Sequence, residues 1–197
     1  MKPNEESVVI AEHSIESEQT LRLAAKIGLA FPKIKEKLVR EFVQSLACEL
    51  HARLGKQWSI ENNWNERPLK VGSHLALSKR EWQHKASIGL WCGRAGPSDL
   101  EYFVWRKGKQ KSPTITELKQ ALDEGCSHGN RCSHPDAENP WWKYVDDPYR
   151  DWSAESSLVA LWKKNEAQDY YASHLLKLCE IGSPYLDRFC STYPELP

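Results

Sequence analysis

Apolar residues recur at every third or fourth position over residues 34–54, which is the period of an amphipathic helix. The positions on this stripe are Ile34, Leu38, Val39, Phe42, Val43, Leu46, Leu50 and Leu54. The pattern predicts a helix from about Pro32 to Leu54 that packs this stripe on the core, and Gly55 is a natural stop. A shorter helix is predicted before it, beginning near Ser14 or Ser17 and interrupted at Pro32.

The period then changes to two, which is typical of half-buried strands. Four alternating runs are predicted as strands, over residues 58–64, 71–77, 86–92 and 100–106. Their connections are short, and successive strands joined in this way favour an antiparallel meander. The sequence therefore predicts a four-stranded antiparallel sheet.

Helical spacing returns after the fourth strand. The predicted helices cover residues 113–125, residues 153–180 with a break near Asn165, and a short last segment from Ser183-Pro184. The stretch between the first two, residues 126–152, is predicted to be irregular. In the sequence, helices are therefore predicted both before and after the four strands.

These elements indicate the α+β class, with a four-stranded meander packed against N-terminal and C-terminal helices. Residues 1–13 are polar with little periodicity, and we expect a flexible arm there. Residues 14–197 have the length of one domain, and we expect a single α+β domain over them.

Composition narrows the function classes. Lys and Arg number 27 and so do Asp and Glu, so the net charge alone favours neither nucleic acid nor membrane. No apolar stretch is long enough to span a bilayer, and the first residues do not resemble a signal peptide, so we expect a cytoplasmic protein with no membrane partner. The nine Trp residues predict a Trp-rich core, with one or two exposed as binding anchors.

A cluster of potential zinc ligands lies in the irregular stretch. The four residues are Cys126, His128, Cys132 and His134. Cysteine and histidine are the usual ligands of structural zinc, but the spacing differs from that of the standard fingers. The alternatives are an ordinary polar loop and a disulfide between Cys126 and Cys132, which a reducing compartment disfavours. Zinc is therefore a candidate cofactor.

A basic surface is predicted from the topology of the meander. The connection after the second strand and the end of the fourth strand lie at the same end of such a sheet. The residues brought together there are Lys79, Arg80, Lys85, Arg106 and Lys107, with Trp82 among them. This surface could meet phosphates or an acidic protein. Alternatively, it is simply solvated, or an acidic stretch from Asp136 to Glu155 covers it.

Sequence motifs for catalysis are missing: there is no nucleophile elbow, phosphate loop, dinucleotide fingerprint or metalloprotease helix. Asp99 and Glu101 precede Lys107, but this spacing does not match a metal-dependent nuclease. No catalytic residue is assigned, and the chain is expected not to be an enzyme.

The leading hypothesis is a non-enzymatic module that binds or regulates another protein, using Trp141 and Trp142 of the Trp-rich stretch together with the basic surface. Its general appearance is similar to that of small accessory proteins of bacteria or phages. One alternative is a nucleic-acid-binding accessory domain that uses the basic sheet end. Another is a metal-dependent enzyme with an unrecognised site.

Overall fold

The computed structural model describes residues 5–93, 95–126 and 136–194. Over these residues the chain forms helices at both ends and an antiparallel sheet between them. In chain order the elements are α1 (Glu5–Ser14), α2 (Glu18–Leu54), β1 (Trp58–Asn62), β2 (His74–Lys79), β3 (Ala86–Cys92), β4 (Leu100–Arg106), α3 (Pro113–Gly125), β5 (Trp141–Tyr144), α4 (Glu155–Lys163) and α5 (Asn165–Thr192).

The five strands form one sheet in the order β1-β2-β3-β4-β5, and every neighbouring pair is antiparallel. This confirms the α+β class, but the predicted number of four strands was wrong. The missed strand, β5, lies inside the stretch that was expected to be irregular. Its inward positions are Trp141 and Lys143, and a lysine at an inward position hides the alternation of polar and apolar residues on which a strand prediction depends.

Two prolines that were expected to interrupt helices lie inside them. The interruptions predicted at Pro32 and Ser183-Pro184 were therefore wrong: α2 and α5 run through them. A proline removes one backbone hydrogen bond and leaves the carbonyl four residues earlier without its donor. The residues at those positions, Gly28 and Glu180, are exposed like the prolines themselves, so water can bind the freed carbonyl. The break predicted near Asn165 is confirmed, because Lys164 has a φ of 61° between α4 and α5.

One face of the sheet carries the hydrophobic core. The helix α5 packs across β3, and α3 packs on α5. Phe42 of α2 contacts the rings of Trp152 and Tyr171 edge-on, with centroids 5.8 and 5.6 Å apart. The Trp152 indole donates a 2.7 Å hydrogen bond to the Tyr171 hydroxyl, so this aromatic group is buried with its polar atoms satisfied. The predicted stripe of α2 is buried from Val39 to Leu50.

The chain divides into two compact units, Met1–Lys37 and Leu38–Pro197. Within the first unit, Glu5–Ser14 is an α-helix, whereas the sequence predicted a flexible arm over residues 1–13. The single domain over residues 14–197 stays a prediction. Among the described residues, no helix combines the length and apolar character needed to cross a membrane.

Candidate binding surfaces

The structure brings the predicted basic residues to one end of the sheet. Lys79 at the end of β2 pairs with Trp58, and Arg106 at the end of β4 pairs with Ala86. The Lys107 amide donates a 2.7 Å hydrogen bond to the Lys85 carbonyl. The two connections therefore emerge side by side, as the meander topology predicts.

Most of these cations are nevertheless not available at the surface. Asp187 of α5 accepts a 2.7 Å hydrogen bond from the Lys79 ammonium and a 2.6 Å bond from the Trp82 indole. Trp82 is fully buried, so it is a core residue and not a surface anchor. The Lys79 ammonium also lies near the rings of Trp58 and Trp82. Together these interactions fasten the end of β2 to α5.

Arg106 and Lys85 are buried as well. The Arg106 guanidinium lies 5.1 Å from the centre of the Phe189 ring and donates a 2.7 Å hydrogen bond to the Gln110 carbonyl. Burial lowers the pKa of this guanidinium from its usual value. Lys85 is 6 % exposed. These two side chains cover the end of the core and cannot form part of a free basic surface.

Arg80 and Lys107 are the predicted cations that remain exposed. The acidic stretch that was the alternative cover is divided: Asp146 accepts a hydrogen bond from the Tyr170 hydroxyl and Asp151 one from the Ser153 amide, whereas Glu138 lies at this end of the sheet, where its carbonyl accepts a 2.8 Å hydrogen bond from the Arg106 amide. The basic surface is thus smaller than the sequence suggested, because alternation in β2 and β4 directs Lys79 and Arg106 toward the helices.

The two Trp residues predicted as anchors lie on opposite faces of the sheet. Trp141 is 6 % exposed, and its indole donates a 3.2 Å hydrogen bond to Asp123 of α3. Trp142 points to the other face, is half-buried, and contacts the Tyr144 ring at 5.3 Å. Only Trp142 of this pair can therefore meet a partner.

The face of the sheet opposite the core is a surface that the sequence did not predict. We call it the outer face. Its residues are those at alternate strand positions: Ser59, Glu61, His74, Ala76, Ser78, Ser87, Gly89, Trp91, Glu101, Phe103, Trp105, Trp142 and Tyr144. Ser, Ala and Gly occupy most of these positions on β1 to β3, where Glu61, His74 and Trp91 are larger, and aromatic residues occupy all of those on β4 and β5 except Glu101.

A groove of about 550 Å³ crosses the outer face. Serine and alanine side chains of β1 to β3 form its floor, and Trp91, Phe103 and Trp105 form its wall. The Trp91 and Phe103 ring centres are 6.1 Å apart. None of the described residues that line the groove is Lys or Arg, and no described helix contributes to the lining. This volume is within the range of ligand pockets.

Gly89 explains how the aromatic wall approaches the floor. A Cβ at this position would lie 2.8 Å from Cε1 of Phe103 and 2.2 Å from the backbone carbonyl of Leu75. A glycine in the middle of a strand therefore lets the Phe103 ring approach the backbone of β3 closely.

A polar network stands at the rim of the groove. The Asn63 side-chain oxygen accepts a 2.7 Å hydrogen bond from the His74 backbone amide. The Asn63 side-chain nitrogen therefore faces Nδ1 of His74, at 3.1 Å. Nδ1 of His74 also lies 3.1 Å from the Gly72 carbonyl oxygen. On the other side of the ring, Nε2 donates a hydrogen bond to the Glu61 carboxylate at 3.2 Å, since a carboxylate only accepts. The network holds a carboxylate, 72 % exposed, at one edge of the groove.

A separate, much smaller cavity of about 50 Å³ lies on the helix side of the sheet, lined by Tyr102, Lys143 and His174 among others. Burial lowers the pKa of the Lys143 ammonium, which donates a 3.1 Å hydrogen bond to the Cys126 carbonyl. His174 stacks on Tyr102 and contacts the Tyr170 carbonyl through Nδ1 at 2.7 Å. The volume holds a few water molecules at most, so the cavity is too small for a substrate of ordinary size.

The predicted zinc ligands lie outside the described residues except for Cys126. Burial raises the pKa of the Cys126 thiol, and the described part of the chain has no group of three or more His, Cys, Asp and Glu arranged to hold a metal. The zinc site stays a prediction. Metal analysis of protein purified without chelator, together with Cys132→Ser, will test it.

The carboxylates considered for a nuclease site have structural partners. Asp99 accepts a 2.8 Å hydrogen bond from the Arg150 guanidinium. The Glu101 carboxylate accepts a hydrogen bond from the Trp91 indole. Glu101 thus fixes the orientation of one ring in the groove wall, which is a role in shaping the outer face.

The outer face could have been found from the sequence by reading the outward positions of each strand as a set. Those positions alternate with apolar inward ones, and they collect serines in one half and rings in the other. No family model, curated protein or solved structure matches this chain.

Proposed function

We propose that this protein is a non-enzymatic binding module that recognises another protein through the groove of the outer face. The observation that carries the proposal is a wall of three aromatic rings facing a floor of small side chains, on a face that no described helix lines. Trp is enriched among the residues that dominate protein interfaces. Phe103 is buried, but Trp91 and Trp105 are partly exposed over a floor of small residues, which leaves room for an inserted side chain.

The charges of the lining favour a cationic side chain from the partner. Glu61 is a carboxylate at the rim, and the described lining contains no Lys or Arg that would oppose a cation. The faces of Trp91 and Trp105 attract cations through their π electrons, and guanidinium groups stack on such rings. We therefore expect an arginine of the partner to enter between Glu61 and the aromatic wall.

A direct test uses short peptides in place of the partner. The probe is a blocked heptapeptide of alanine and glycine with one central arginine, compared with peptides that carry citrulline or glutamate there. Binding is followed by the indole N–H signals in nuclear magnetic resonance spectra. We expect the arginine peptide to shift the signals of Trp91 and Trp105, and citrulline to bind about tenfold more weakly because it lacks the charge.

Two variants and one control assign the site. Trp105→Ala and Glu61→Gln should each weaken the arginine peptide, whereas Trp162→Ala should not, because Trp162 is 71 % exposed on α4 and does not line the groove. Equal responses to all three peptides would contradict the proposal.

Nucleic acid is the alternative partner, and Arg80 with Lys107 would contact it. A titration with a single-stranded oligonucleotide at several salt concentrations separates the two, since phosphate contacts give a steep dependence on salt. If oligonucleotide binds and Arg80→Glu with Lys107→Glu abolishes it, the protein-binding proposal fails in favour of this one.

A further inference from the structure

Exposed apolar side chains are concentrated in the N-terminal unit. Among the described residues, twelve large apolar side chains are exposed, and nine of them lie between Val9 and Ile34. Single exposed apolar residues are ordinary, but a concentration of this kind marks a surface that meets a partner.

The apolar side chains of α2 in this unit form an arc on one side of the helix. Successive residues are rotated by about 100°, which places Leu23, Ile27, Phe31 and Ile34 within an arc of about 80°. All four are at least 44 % exposed. The arc therefore presents leucine, isoleucine and phenylalanine side chains to the surroundings along more than two turns.

The charged residues of the same segment are sorted around this arc. Lys26, Lys33 and Lys37 lie toward one side of it and Lys35 toward the other, whereas Arg22 lies beside the acidic residues and forms an ion pair with Glu18. The two acidic residues, Glu18 and Glu36, lie about 180° from the centre of the arc. Cations thus border the apolar surface on both sides, and anions are as far from it as a helix allows.

We propose that residues 18–37 bind the surface of an anionic lipid bilayer, with the helix lying in the plane of the membrane. The apolar arc would enter the boundary between head groups and acyl chains, and the flanking Lys side chains would reach the phosphates. The acidic residues would face water. This goes beyond the proposed function and concerns a different surface.

Membrane-surface binding is distinct from membrane spanning, on which the expectation of no membrane partner was based. The segment carries seven charged residues in twenty, and such a helix lies on a bilayer and does not cross it.

The charge pattern favours a lipid surface over a second copy of the chain. Two helices paired along this arc would bring their flanks together. Every charged residue on either flank is basic, so pairing in the parallel or the antiparallel sense would place like charges side by side. An anionic bilayer meets the same flanks with opposite charge.

The test is sedimentation of the full chain with vesicles of phosphatidylcholine alone and of phosphatidylcholine mixed with phosphatidylglycerol. We expect binding to the mixed vesicles only, with added salt weakening it. Lys26→Gln should lower the partition coefficient about fivefold, and Ile27→Ser at least about tenfold. Leu29→Ser is the matched control, because Leu29 is equally apolar and more exposed but lies beside the acidic side, so it should bind like the original chain.

Two results would overturn the proposal. One is equal sedimentation, or none, with both kinds of vesicle. The other is a dimer, detected by light scattering without lipid, that Ile27→Ser converts to monomer, since a second copy would then cover the arc. Thermal unfolding of each variant shows whether the remainder of the chain is still folded.

Discussion

The two faces of the sheet have the same backbone and different side chains, and the difference separates stability from recognition. The inner face carries leucine, isoleucine and valine under α5, and two of its polar side chains, Lys79 and Trp141, donate hydrogen bonds to Asp187 and Asp123. The outer face carries serines and rings that are half-buried, apart from the buried Phe103. Both faces contain Trp, so residue type alone does not tell which rings hold the fold together and which can bind.

Burial explains why tryptophan has different roles on the two sides of the sheet. The fully buried Trp152 contacts Phe42 and Trp64 and donates its indole proton to Tyr171. Trp105 on the outer face is partly exposed and lines a groove. The free energy of removing a ring depends on how closely its neighbours pack against it and on the cavity left behind, so truncation should separate the faces.

The largest effect is expected from Phe42→Ala on the core side. Removing this buried ring leaves a cavity beside Trp152 and Tyr171, and we expect the free energy of unfolding to fall by about 3–5 kcal/mol. Chemical denaturation measures it. Phe31→Ala is the control on the same helix, since Phe31 is 44 % exposed and should matter little. An unchanged midpoint for Phe42→Ala would refute the assignment of this face to the core.

The next largest effect is a loss of stability at alkaline pH, caused by the thiol of Cys92, which points into the core. Burial, assisted by Asp99 and Glu101, raises the pKa of this thiol from 9.0 to about 12. The unfolded chain loses the proton first, so stability is complete below pH 9 and decreases as pH rises toward 12. Each pKa unit corresponds to about 1.4 kcal/mol. Denaturation midpoints should fall less steeply over this range in Cys92→Ala; an identical pH dependence would show that other groups are responsible.

A smaller loss of folding free energy is expected from Asp187→Ala. This change removes the acceptor of two hydrogen bonds, from the Lys79 ammonium and from the Trp82 indole. Leaving buried donors unpaired costs about 1–3 kcal/mol. Glu81→Ala is the matched control, because Glu81 lies 3.6 Å from the same ammonium but is largely exposed. If denaturation shows equal losses of stability in both variants, the loss of a negative charge near Lys79 explains them. The hydrogen bonds that join β2 to α5 through Asp187 would then contribute nothing further.

The smallest change in stability is expected on the outer face. Trp105→Ala should alter the free energy of unfolding by less than about 1 kcal/mol, whereas Trp152→Ala, the same substitution in the core, should cost about 3–5 kcal/mol. If both variants lose the same free energy of unfolding in thermal and chemical denaturation, Trp105 is a structural residue. That result would contradict a binding role for the groove.

Much of the fold follows from periodicity. The stripe from Val39 to Leu50 and the alternation in β2, β3 and β4 are local patterns, and burial requires little more than a partner for the apolar side. The sequence also predicts that Lys79 and Arg106 lie at the same end of the sheet, since this depends only on the order of the strands. The strand β5 did not follow, because its inward Lys143 is accommodated by a carbonyl that comes from elsewhere in the chain, that of Cys126.

The sequence by itself determined the α+β class, the apolar stripes and the shared end of the meander, because these depend on spacing along one segment. Only the tertiary structure decided which cations stay exposed, which Trp residues are buried, and that the outer face carries a groove. Those outcomes depend on what α5 covers: Asp187 and Phe189, about a hundred residues from Lys79 and eighty from Arg106, take up the two cations that the basic surface would have needed. Burial is a property of packing between distant segments, and no local pattern records it.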